Sequence, residues 1–136
     1  MEFFRQNVLL IGLAIGSGLA LLLPMLSRSA AGISVLSVTE AVMLMSRKSA
    51  LVLDVREPDE FAQGHLQGAR NVPLSQLSAR LKELEKFRDK PVLVVCERGR
   101  RANTAAKLLK AQNFTALNVL KGGMQAWIDA KMPSSK

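Results

Sequence analysis

The sequence predicts an α/β domain, built on a central, mostly parallel sheet flanked by helices and preceded by one transmembrane helix. Three observations predict it. Apolar runs of strand length (Leu51–Val55, Val92–Val95 and Ala116–Leu120) recur with helix-like stretches between them. Strands joined by helical crossovers run parallel and are covered on both faces. Val8–Leu26 forms an uncharged apolar run of 19 residues, close to the roughly 20 that span a bilayer as a helix. Behind that run the chain of 136 residues leaves room for one domain of about 100 residues and not for two.

The elements follow in order. Residues 1–28 read as an amino-terminal anchor, with the helix over about 7–26. Gly12, Gly16, Gly18 and Pro24 suit a membrane span better than a soluble helix. A cleaved leader is the rival reading, with Ser29-Ala30-Ala31 as a small-residue cleavage site, but the apolar run is longer than a leader core. Residues 29–33 read as a linker. Ser37-Val38-Thr39-Glu40 has the form of a capping box and opens a helix to about Ser46. Leu51–Val55 is a buried strand. Glu57–Gln63 is a short helix with Pro58 in its first turn and Gly64 closing it. Ala69–Val72 is a short strand, and Ser75 opens a helix with Leu77, Leu81 and Leu84 on one face. Val92–Val95 is the second buried strand, 101–111 a helix, and Ala116–Leu120 the third strand. Gly122-Gly123 turns into a last helix that buries Trp127 in the core; 133–136 is a tail.

Composition narrows the function. One Cys excludes an internal disulfide, and with a single His no metal centre is expected. No cofactor is called for. Residues 33–136 carry 17 Lys+Arg against 10 Asp+Glu, a net +7. That charge suits small anionic partners and, by the distribution of Lys and Arg, a cytoplasmic domain on a single-pass membrane protein. Basic residues are scattered and aromatic residues few, so no nucleic acid is expected as partner.

The lone thiol stands where chemistry is expected. Cys96 follows a buried strand and precedes a helix, and ligands of parallel sheets bind beyond the carboxyl ends of the strands. The helix end offers unpaired N–H groups and partial positive charge, and Arg98, Arg100 and Arg101 add full charges. Together they favour the nucleophilic thiolate; Glu97 opposes them. Gly99 permits a backbone turn in which successive N–H groups converge on one anion. A buried structural Cys with surface arginines is the plainer alternative. His65, in a Gly64–Ala69 turn, reads as a structural hydrogen-bonding residue rather than the partner of a Cys–His dyad.

Three motifs carry a resemblance. Asp54-Val55-Arg56-Glu57-Pro58-Asp59-Glu60-Phe61 runs on through Gly64-His65-Leu66-Gln67-Gly68-Ala69-Arg70-Asn71-Val72-Pro73. Cys96-Glu97-Arg98-Gly99-Arg100-Arg101 and Gly122-Gly123-Met124-Gln125-Ala126-Trp127 follow. In that order they resemble the rhodanese-like sulfurtransferases over about residues 34–132. The resemblance implies a rhodanese-like three-layer fold, which behind one membrane helix is a known family arrangement. It implies that Cys96 takes a sulfane sulfur from a donor such as thiosulfate and passes it, as a persulfide, to a thiol or cyanide acceptor. Glu97, Arg98, Gly99, Arg100 and Arg101 would hold the persulfide, with Asp54 and Arg56 as supporting architecture, Arg56 pairing with Glu60. Many members have Ser where Ala102 stands, a departure that bears on donor preference. The rivals are a Cys-based phosphatase or arsenate reductase, whose loop is one residue longer and would need Arg at Ala102, and a non-catalytic tethered binding module.

Overall fold

Burial in the middle of the chain decides the architecture. The computed structural model describes residues 32–47 and 49–136. Five parallel strands form one sheet in the order β1-β5-β4-β2-β3: β1 Ile33–Leu36, β2 Leu51–Asp54, β3 Arg70–Asn71, β4 Pro91–Val95 and β5 Ala116–Leu120. Among the described residues, three α-helices connect strands, α1 Val38–Met45, α2 Pro58–Gln63 and α3 Arg100–Ala111, and a fourth, α4 Gly123–Asp129, follows β5. β2 is buried along its whole length, and β4 everywhere but at Pro91. That is why they read as apolar runs rather than alternating ones, with Asp54 at the end of β2 the one charge.

Alternation still sorts the side chains between two layers. Leu51, Leu53, Val92 and Val94 pack with Ala102, Ala105 and Leu109 of α3. Val52, Leu93 and Val95 pack with Ala41 of α1 and with Met124 and Trp127 of α4. Trp127 is 3% exposed and donates Nε1–H to Pro133 O at 2.9 Å, so the expected core role holds. Register places Asp54 beside Val95, and Cys96 follows at the same edge. The β4 strand end thus faces the exits of β2 and β5, where the site lies.

Several elements differ from expectation. Ile33–Leu36, whose first residue was placed in the linker, is an edge strand against β5, and Lys121 N–H bonds Leu36 O at 2.8 Å. The helix expected from Ser75 is instead two 3₁₀ segments, Leu74–Gln76 and Leu81–Phe87. Leu77 and Leu84 are fully buried as the pattern required. A 3₁₀ turn rises about 2.0 Å per residue against about 1.5 Å for an α-helix, so it brings those leucines to the core while covering more distance towards β4.

The transmembrane helix expected over about 7–26 lies outside the described residues. Among the described residues no helix is long and apolar enough to cross a membrane. The expected single-pass membrane localisation, with its cytoplasmic domain, is therefore corrected and does not enter the functional reading.

The α1 start is a complete capping box: Glu40 N–H donates to Ser37 Oγ at 3.2 Å and Ser37 N–H to Glu40 Oε1 at 3.3 Å. Such a cap is worth about 1 kcal/mol. Ser37→Ala should lower the urea-unfolding free energy by about that amount, and Ser37→Asp should restore most of it.

Candidate functional site

The loop between β4 and α3 is shaped from both sides. Cys96 leaves the buried strand with 1% of its surface exposed. Gly99, at φ 105°, turns the chain in the left-handed region that favours glycine, and its N–H donates to Cys96 Sγ at 2.8 Å. No side chain caps α3, so its first N–H groups remain open beside the loop.

On the other side α4 takes the loop's carbonyls. Met124 N–H donates to Cys96 O at 2.8 Å and Gln125 N–H to Glu97 O at 3.1 Å. Those bonds turn two carbonyls away from the sulfur. They require α4 to start in contact with the loop backbone. A Cβ on Gly123, itself at φ 59°, would collide with Cys96 O and come within 2.7 Å of Glu97 O. The Gly122-Gly123 turn is thus the inner wall of the cysteine loop, a role that the sequence reading missed although the motif was in view.

Cys96, Glu97, Arg98, Arg100 and Arg101 together line one opening of about 600 Å³. Arg98 and Arg100 are exposed and, among the described residues, meet no carboxylate. Arg101 is committed: it holds Glu60 through Nη1–Oε1 at 2.7 Å and Nη2–Oε2 at 2.9 Å. This planar two-bond grip ties α3 to α2. The Arg101 hydrogen bond, working against partial burial, holds the Glu60 carboxyl at about 2, and Glu60 raises the Arg101 guanidinium above its ordinary value.

The expected Arg56–Glu60 pair does not form. Arg56 turns back to Asp54, Nη2 to Oδ2 at 2.8 Å and Nε to Oδ1 at 3.0 Å, with both residues buried. Two residues apart at a strand end, their side chains meet inside the core, where each needs the other. Burial opposes the charged guanidinium, but Asp54, with help from Glu97, outweighs it and the Arg56 pKa lies above its usual value. Arg56 also donates to Gly64 O at 2.7 Å and to Glu97 Oε2 at 3.3 Å. Asn71 Nδ2 reaches the carbonyls of Asp54 and Arg56. The pair therefore joins β2, β3, the end of α2 and the cysteine loop.

His65 is placed as read. Its Nδ1 lies 2.8 Å from Phe61 O, its ring stacks on Phe61 at 3.8 Å, and its backbone pairs with Ser135. It does not line the cysteine opening. Among the described residues, no three His, Cys, Asp or Glu side chains converge to hold a metal ion.

Comparison with known proteins follows the same lines. The family model described as Rhodanese-like domain matches residues 37–130. The uncharacterized protein YqhL of Bacillus subtilis is 42% identical over 91 residues, 67% of this chain and 71% of that protein. Thiosulfate sulfurtransferase GlpE of Shewanella oneidensis is 34% identical over 95 residues, 70% of this chain and 92% of that one. The crystal structure of a rhodanese-related protein from Thermoplasma volcanium matches with a TM-score of 0.67 at 32% identity, covering 75% of this chain and 97% of that one.

Two outcomes follow from the geometry. Gly123→Ala should cost more than about 1 kcal/mol, the usual consequence of a side chain forced to positive φ, and should change the rate at which iodoacetamide alkylates Cys96. The second concerns acid. Glu60 has a folded pKa below its unfolded value, so the Arg101 pair stabilises fully above about pH 5 and loses that contribution as pH falls towards about 2. Urea unfolding across that range should show wild type and Glu60→Gln converging as the solution is acidified.

Proposed function

Because this chain belongs to the rhodanese family, we propose that it is a sulfurtransferase carrying a sulfane sulfur from an anionic donor to a thiol or cyanide acceptor as a persulfide on Cys96. The observation that carries this reading is the Gly99 N–H aimed at Cys96 Sγ from 2.8 Å, at the floor of an opening walled by Arg98, Arg100 and Arg101. The likeness to proteins named thiosulfate sulfurtransferase, at 33–34% identity, supports the same chemistry.

In the first half-reaction the Cys96 thiolate attacks the outer sulfur of a donor such as thiosulfate. The new S–S bond forms as the S–SO₃ bond breaks, and sulfite leaves with the electron pair. Arg98 and Arg100 draw the anion in; the Gly99 amide and the open amides of α3 stabilise the terminal sulfur anion. In the second half-reaction an acceptor thiolate attacks that terminal sulfur, and the Cys96 thiolate is regenerated. Arg101, held by Glu60, acts as a positioning residue for the loop, and Asp54 and Arg56 hold the strand end beneath it.

The phosphatase alternative is weakened at Ala102. That position, where an oxyanion-binding arginine would be required, is fully buried in the layer under α3. In the alternative of a non-catalytic binding module Cys96 would be dispensable.

Intact-mass spectrometry of the full chain after treatment with thiosulfate or an organic thiosulfonate tests the proposal. We expect a gain of one sulfur atom, reversed by dithiothreitol and absent in Cys96→Ser. If no such adduct forms with either donor, or if Cys96→Ser still takes up sulfur, the assignment falls.

A further inference from the structure

The arginine-rich loop is less positive than it reads. Around Cys96, Arg56 is balanced by Asp54 at 2.8 Å and Arg101 by Glu60 at 2.7 Å. Glu97 then adds a carboxylate without a cation of its own: it takes Arg56 Nη1 at 3.3 Å, and its side chain is 37% exposed. Four guanidiniums thus face three carboxylates, and once Cys96 is a thiolate the surplus is spent. An incoming dianion is drawn in by little net charge, and a monoanion meets one unit less of repulsion from Glu97.

Glu97 also stands between two openings. It lines the Cys96 opening and a neighbouring groove of about 330 Å³ whose walls are mostly polar (Arg56, Glu60, Gln63 and Ser134) around the apolar side chain of Ile128. Ile128 is 54% exposed. A donor made of a bare sulfonate has nothing to lay on Ile128; an organic donor has.

We propose that Glu97 is a specificity-determining residue that biases Cys96 towards organic sulfane donors bearing one negative charge, with their substituent against Ile128, and against dianionic thiosulfate. This rests on the sulfurtransferase reading. With an organic thiosulfonate the balance is complete: the thiolate forms a bond to the terminal sulfur, the S–SO₂ bond breaks, and the sulfinate leaves with the electron pair.

The test is kcat/KM on the full chain with thiosulfate, methanethiosulfonate and benzenethiosulfonate. Comparing one variant's ratio between donors with that of wild type removes the donors' intrinsic reactivities. Glu97→Gln should raise the thiosulfate-to-methanethiosulfonate ratio about 3- to 10-fold, the scale of one removed charge at a half-exposed site. Arg100→Gln should lower the same ratio, so the charge argument survives a Glu97 variant that folds poorly. Ile128→Ser should lower the benzenethiosulfonate-to-methanethiosulfonate ratio. Unchanged ratios in Glu97→Gln and Arg100→Gln would overturn the charge argument, and an unchanged ratio in Ile128→Ser would overturn the seating of the substituent. If no donor loads Cys96 at all, the sulfurtransferase reading falls and this inference falls with it.

Discussion

The cysteine loop can present its amides to the sulfur only because its carbonyls are satisfied elsewhere. A peptide plane cannot point both groups the same way. Two amides of α4 take the Cys96 and Glu97 carbonyls, which leaves the opposite side of the loop to be lined by N–H groups and arginines. The buried end of β4 fixes where the loop starts, and Gly99 fixes how it turns into α3. Gly123 fixes how closely α4 approaches. Loosening any one of these would let a carbonyl oxygen turn towards Cys96 Sγ, where it would repel the terminal sulfur anion of the proposed persulfide.

The Asp54–Arg56 pair works at a second level. A buried ion pair is a poor source of stability, since desolvation consumes most of the Coulomb gain, yet removing one partner leaves an unpaired charge at a cost of about 3–5 kcal/mol. Here the guanidinium spends its remaining donors on Gly64 O and Glu97. The pair therefore locks the end of α2 and the outer side of the cysteine loop to β2. Through α2 it also sets the position of Glu60, which grips Arg101. Two ion pairs thus brace the loop from beneath and from the side, and neither uses an arginine left over to attract substrate.

Legibility in the sequence followed burial. β2 and β4 were readable because strands covered on both faces are nearly continuously apolar, β5 because Leu117, Val119 and Leu120 remain apolar around Asn118, and α1 because a capping box is a local signal. β1 was missed because an edge strand of four residues, with its two middle residues exposed, has neither alternation nor an apolar run. Leu77 and Leu84 announced their burial but not their helix type, since spacings near three and four residues serve both α and 3₁₀ turns. At the site, Cys96, Gly99 and the arginines were found by their positions at a strand end. The pairing of those charges was not, because Arg56 and Arg101 each had several carboxylates within reach along the chain. Only the folded chain, which brings Glu60 of α2 beside Arg101 of α3, sends Glu60 to Arg101 and leaves Asp54 for Arg56. The resemblance identified the Gly122-Gly123 motif without explaining it; the explanation needs the approach of two backbones distant in sequence.

Loop length and helix phase together decide which side chain could meet an anion at the sulfur. Successive residues on a helix are rotated by about 100°, so the first turn of α3 presents its positions in different directions. Arg100 points to solvent, Arg101 is half-buried against Glu60, and Ala102 is buried in the core. A guanidinium at 102 would have to be buried among Leu53, Ala105 and their neighbours, and the small methyl there is what lets α3 sit close on the sheet. With the loop as short as it is, the Gly99 amide and the exposed Arg98 and Arg100 are what face the opening at Cys96, an arrangement that suits the proposed persulfide.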